Sequence, residues 1–129
     1  MSSIEDIKIN IMSFGYKYGM AEDANFVQDV RFLPNPYYDE ELKEKSGLDL
    51  RVREYVKSTP QALEYISKLK EFLEIYISLS LMAQKESITV AVGCTGGRHR
   101  SVTVAIELFD YLISMGYNAN VFHRDIEKG

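Results

Sequence analysis

The sequence is poor in several things: one cysteine, three prolines, two histidines, six arginines, and no apolar run near the roughly 18 residues a membrane-spanning helix needs. Each scarcity excludes something. A single cysteine cannot close an internal disulfide, which fits a reducing compartment. The missing apolar run excludes a helical membrane span. The start, MSSIEDIKIN, lacks the basic and apolar parts of a secretory signal, so a cytoplasmic location without a membrane partner is expected. Net positive charge is lacking too. A formal net charge of −4 argues against whole-surface attraction to nucleic acid and leaves only a local basic patch open. No repeat, low-complexity tract or Gly/Ser linker interrupts the chain, so residues 1–129 read as one domain. Neither G-x-x-x-x-G-K-[ST] nor G-x-G-x-x-G occurs, which removes the common nucleotide fingerprints. One cysteine and two histidines give no zinc-ligand spacing, so neither a metal nor a cofactor is expected.

The patterning that is there describes an α/β domain. Ile7–Phe14 alternates around apolar residues and stops at Gly15, as a strand does, with a loop over Gly15–Gly19. Phe26–Leu33 reads as a second strand, halted by Pro34 and Pro36. Residues 39–45 form a charged surface segment and Gly47 a turn. Asp49–Lys57 is a short helix. Thr59 and Pro60 are a cap and first helical residue for a long amphipathic helix reaching Met82 or Ala83. Ser87–Val92 is a strand covered on both faces, Ser101–Met115 a helix ended by Gly116, and Asn118–Phe122 a last strand. The expected architecture is a small, mostly parallel sheet of about four strands with helices on both faces, Rossmann-like, and the unit from Ile88 to Phe122 is a right-handed βαβ crossover.

The scarce arginines collect in one region of this map. Arg31 ends the second strand, Arg98 and Arg100 follow the third, Arg124 follows the fourth, and Lys17 follows the first. Parallel sheets bind ligands outside the carboxyl ends of their strands, so these cations converge on one edge. Between strand and helix lies GCTGGRHRS. Gly96 and Gly97 let backbone N–H groups approach a ligand, and the helix N-terminus adds unpaired donors. Arg98 or Arg100 grips phosphate oxygens with a planar fork, and Thr95 and Ser101 offer hydroxyls. His99 and His123 are candidate anion ligands or proton carriers. The spacing C-x5-R-S from Cys94 resembles the signature loop of cysteine-dependent protein tyrosine phosphatases, in which a thiolate attacks phosphorus. That chemistry also needs an acid, for which Asp29, Asp39, Asp49 and Asp125 are candidates, and Gly93 stands where many such enzymes carry histidine.

SFGYKYG (13–19), DVRFLPNPYY (29–38), SGLD (46–49), VAVGCTGGRHRSV (90–102) and HRDIEK (123–128) together resemble the C-terminal domain of the RapZ family, the YvcJ-like nucleotide-binding proteins. The resemblance implies a domain standing without the family's N-terminal kinase-like domain, so ATP binding is not carried over. It implies a pocket for glucosamine-6-phosphate or a similar metabolite, formed by Cys94, Thr95, Gly96, Gly97, His99, Arg100 and Ser101 with Arg31 beside it. It further implies a homodimer or higher homo-oligomer and a regulatory RNA-binding or RNase-adapter role. The acidic charge, and the end of the sequence at Gly129 before a basic tail, weaken the expectation of RNA binding. Three readings result: a sensor of a phosphorylated metabolite, a phosphatase-like hydrolase using Cys94 and Arg100, and an RNA-binding module.

Overall fold

Strand β1 (Lys8–Gly15) divides its side chains between two faces: Ile9 and Ile11 enter the main core, while Met12 and Phe14 join a second, smaller cluster. This is the period-two alternation of a strand covered on both sides. The computed structural model describes residues 3–128. Strands β2 (Phe26–Asp29), β3 (Ser87–Cys94) and β4 (Asn118–His123) complete a four-stranded sheet in the order β2-β3-β1-β4. Every pairing is parallel, with Gly15 opposite Cys94, Ser13 opposite His123 and Asp29 opposite Gly93. All four carboxyl ends therefore lie along one edge.

Helices α1 (Leu50–Val56), α2 (Pro60–Met82) and α3 (Arg100–Ser114) bury Val52, Val56, Ile66, Leu73, Ile77, Leu108 and Leu112 in the same cluster as Ile9, Ile11, Val90 and Val92. Burying each of these side chains contributes about 1.5–3 kcal/mol. Local chemistry sets the helix ends. Asp49 caps α1 by accepting from the Arg51 amide at 2.8 Å, and the Thr59 hydroxyl caps α2 by accepting from the Ala62 amide at 3.1 Å. Gly116, at φ +89, ends α3 in the left-handed region.

The all-parallel four-stranded sheet with its three helices is the expected α/β, Rossmann-like arrangement, with the helices on one face rather than two. All three α-helices share one face, and the opposite face carries residues 16–25, with one 3-10 turn at Tyr16–Tyr18. The topology gives the reason. β2 to β3 and β3 to β4 step across the sheet in one direction, whereas β1 to β2 steps back, and a right-handed return runs behind the sheet. Strand β2 also stops at Asp29 rather than Leu33. The Asp29 carboxylate accepts the Arg31 amide at 2.9 Å, and Leu33 N–H bonds back to the Val30 carbonyl, so the chain turns instead of extending. β3 runs two residues beyond its expected end, to Cys94, and α3 begins at Arg100. Among the described residues no helix is long and apolar enough to cross a membrane.

Candidate anion site

Loop 94–100 joins β3 to α3 at the carboxyl edge. It presses against the end of β1 so closely that neither chain has room for a side chain. A Cβ on Gly15 would fall 2.5 Å from the Gly96 carbonyl carbon, and one on Gly97 would fall 2.6 Å from the Gly15 nitrogen. Gly97 is also at φ +74, where an L side chain is strained. Gly96 differs, because a Cβ there meets only open space on the cleft side. Gly97→Ala is accordingly expected to cost about 3 kcal/mol in a denaturant titration, combining strain with overpacking. Gly96→Ala stays within about 0.5 kcal/mol of the wild type.

The buried carboxylate of Asp125 fixes the other side of this contact. It accepts from the Gly15 amide at 2.7 Å and pairs with Arg124 and Lys128, each at 2.8 Å. Burial pushes its carboxyl up, but the bonds from Arg124, Gly15 and Lys128 outweigh burial and bring it down to about 2. Arg124 also donates to the Gly19 and Met20 carbonyls, closing the 16–20 turn.

Across the cleft, residues 44–47 are pinned to the loop. Arg98 donates to the Glu44 carbonyl at 2.8 Å, His99 Nε2–H to the Lys45 carbonyl at 2.6 Å, and the Gly47 amide to the Arg98 carbonyl at 2.8 Å. Burial lowers the His99 pKa, which agrees with a neutral ring donating from Nε2. His99 occupies the N-cap position of α3, yet no side chain caps the helix. The first turn of α3 thus keeps backbone donors free at the carboxyl edge.

Arg100 sits at this helix end, 6 % exposed. Its Nη1 donates to the Arg31 carbonyl, its Nε has no hydrogen-bond partner, and it has no ion-pair partner among the described residues. A buried guanidinium left in this state is costly unless an anion completes it. The cleft above holds about 500 Å³ and is lined by Cys94, Thr95, Gly96, Arg98, His99 and Arg100, with Lys17, Asn35, Tyr37, Tyr38, Lys43, Glu44 and Lys128 around them. Five of these residues are cationic and one is a carboxylate.

Seven of the ligand-site candidates singled out from sequence, Lys17 among them, therefore line one cleft, and five stand outside it. Gly97 is the contact with β1. Ser101 is fully buried and accepts the Cys94 thiol at 3.1 Å. Arg31 is held by Asp29 at 2.6 Å and lies 4.0 Å over the Tyr16 ring, so its carbonyl, not its guanidinium, meets Arg100. His123 bonds Ser13 through Nδ1 at 2.7 Å, and burial lowers its pKa. Arg124 closes the turn on the far side of Asp125. Lys43, Glu44 and Asn35 line the cleft as well; the sequence signal for Asn35 is its place in the 29–38 motif, and that for Lys43 and Glu44 is a charged run after a Pro-rich turn. Among the described residues, no group of three or more His, Cys, Asp or Glu side chains is arranged to hold a metal ion.

The chain is similar to known proteins over nearly its whole length. A family model described as the RapZ C-terminal domain matches residues 7–127. A nucleotide-binding protein of Caldicellulosiruptor saccharolyticus is 48% identical over 126 residues, covering 98% of this chain and 43% of that protein. One from Limosilactobacillus reuteri is 50% identical over 123 residues, covering 95% and 42%. One from Clostridium acetobutylicum is 46% identical over 120 residues, covering 93% and 41%. The chain thus spans about two fifths of the length of these relatives.

Proposed function

Because this chain belongs to the RapZ C-terminal domain family, we propose that it binds a small phosphorylated metabolite on the loop from Thr95 to Ser101, for sensing or regulation rather than turnover. An amino-sugar phosphate such as glucosamine-6-phosphate is the form the family resemblance favours. One observation carries the reading: among the described residues, Arg100 is buried at an uncapped helix N-terminus with an unpartnered Nε and no carboxylate pair. A phosphate oxygen supplies the missing acceptor and counter-charge, while the Gly96–Gly97 backbone and the first turn of α3 donate to the remaining oxygens.

The place of Cys94 beside Arg100 in the lining of the cleft favours a second reading, phosphoryl transfer to the thiol, and three features weigh against it. The thiol is 2 % exposed and donates to Ser101. A side chain at Gly93 would collide with the Phe14 and Tyr16 rings, at 2.5 and 2.6 Å from a Cβ. Three of the four candidate acids hold a proton less readily than a free aspartate. Asp125 is drawn down to about 2, Asp29 is lowered by its bond to Arg31, Asp49 is lowered as a helix cap, and Asp39 accepts the Glu41 amide at 2.9 Å in an exposed turn.

A thermal-shift series with phosphorylated sugars, and their unphosphorylated parents as controls, tests the proposal. The phosphorylated forms are expected to raise the melting temperature and the parents not to. Cys94→Ser retains the shift, and an aryl phosphate is not turned over between pH 5 and 8. Turnover that Cys94→Ser abolishes would replace sensing by hydrolysis.

A further inference from the structure

The mouth of the cleft holds more positive charge than one phosphate needs. Lys17, Lys43 and Lys128 stand there with Arg98 and Arg100, against the single carboxylate Glu44, in a chain whose net charge is −4. The lysines come from three separate segments: the turn after β1, the charged stretch before α1, and the segment after β4.

Tyrosine rings hold them. Lys17 and Lys128 flank the Tyr18 ring at 5.1 and 5.3 Å from its centre, and Lys43 lies 4.9 Å from the centre of Tyr37. A ring face positions an ammonium group through its quadrupole without cancelling its charge. Lys128 is neutralised separately by Asp125 at 2.8 Å. Lys17 and Lys43 have no carboxylate partner among the described residues. A phosphate monoester carries about −1.5 to −2 near neutral pH, which Arg100, the helix end and Arg98 already balance. The two free lysines therefore face the cleft with charge to spare.

We infer that the ligand carries a second anionic group, a second phosphate in a small bisphosphorylated metabolite, received by Lys17 and Lys43 at the mouth while the first phosphate sits against Arg100. The inference rests on the reading of the loop as a phosphate cradle and replaces the monophosphate favoured by the family resemblance with a bisphosphorylated ligand on the same cradle. A hexosamine monophosphate would leave the two lysines unused.

Calorimetric titration with glucose 6-phosphate and glucose 1,6-bisphosphate separates the two claims. The wild type is expected to bind the bisphosphate at least ~tenfold more tightly. Lys17→Gln/Lys43→Gln, at exposed or half-buried positions outside the core, brings that advantage to about twofold by weakening the bisphosphate more than the monophosphate. Unchanged unliganded melting of the double variant establishes that it folds, and the single variants repeat the test if it does not. Equal affinity of the two sugars for the wild type overturns the second-phosphate claim alone. So does a double variant that weakens both sugars equally. Binding of neither sugar overturns the cradle reading and this inference with it. If a 5′-phosphorylated oligonucleotide displaces the bisphosphate at lower concentration, the lysines serve a nucleic-acid backbone and the small-molecule claim fails.

Discussion

Asp125→Ala is expected to lower stability by about 3–5 kcal/mol, the range for a buried ion pair stripped of one partner. The melting temperature of a domain this size then falls by about 10 °C or more. The carboxylate is fully buried, holds the Gly15 amide and neutralises Arg124 and Lys128, so its removal leaves an unsatisfied donor and an unbalanced guanidinium. Asp125→Asn keeps the acceptor and loses the charge, so it falls between wild type and alanine. The same group sets part of the acid limb. Its pKa drops from 3.8 in the unfolded chain to about 2 in the fold, so the unfolded state takes up the proton first. Its contribution of about 2 kcal/mol is complete above roughly pH 5 and fades as pH falls toward 2. Denaturant titrations across that window should show the wild type losing this increment and Asp125→Asn not. An identical acid limb in both proteins would remove Asp125 from the account.

Arg100→Ala is expected to weaken phosphate-ester binding at least ~100-fold, the loss of a buried charge-assisted contact, while the unliganded protein loses little stability. The asymmetry distinguishes a ligand-holding arginine from a structural one. An arginine paired to a buried carboxylate destabilises the fold when truncated; among the described residues Arg100 has no such partner, and its one bond goes to the Arg31 carbonyl. Removing it relieves an uncompensated charge and forfeits about 1 kcal/mol of hydrogen bonding. Arg100→Lys keeps the charge, loses the fork and binds at an intermediate level. Calorimetry paired with unliganded melting curves reads both quantities.

Much of the fold was legible because local signals and burial agree. Thr59–Pro60 opens α2, Gly116 ends α3, and the apolar run Ser87–Val92 is a covered strand. The cleft was legible in part, since the loop after β3 and Arg100, picked out by their place at a strand-to-helix junction, line it. What the sequence hid depended on contacts between distant residues. A periodicity shows that both faces of β1 are covered and does not say by what, so the back-face return over 16–25 was not foreseen. Arg31 was expected to face a ligand, but Asp29, two residues earlier, competes for its guanidinium and for its amide. Lys43 was lost in a run of mixed charge. The structural role of Asp125 is invisible in the sequence, because nothing local shows that the Gly15 amide lies 2.7 Å from its carboxylate.

The central claim is that phosphate sits on the uncapped first turn of α3 and the glycine pair before it. Titrating isotopically labelled protein with inorganic phosphate and following its backbone amide resonances tests this most directly. The expected result is a saturable shift concentrated on residues 95–102 and on the Arg100 Nε–H, and absent in Arg100→Ala. Saturable shifts elsewhere on the surface, with residues 95–102 unmoved, would contradict it.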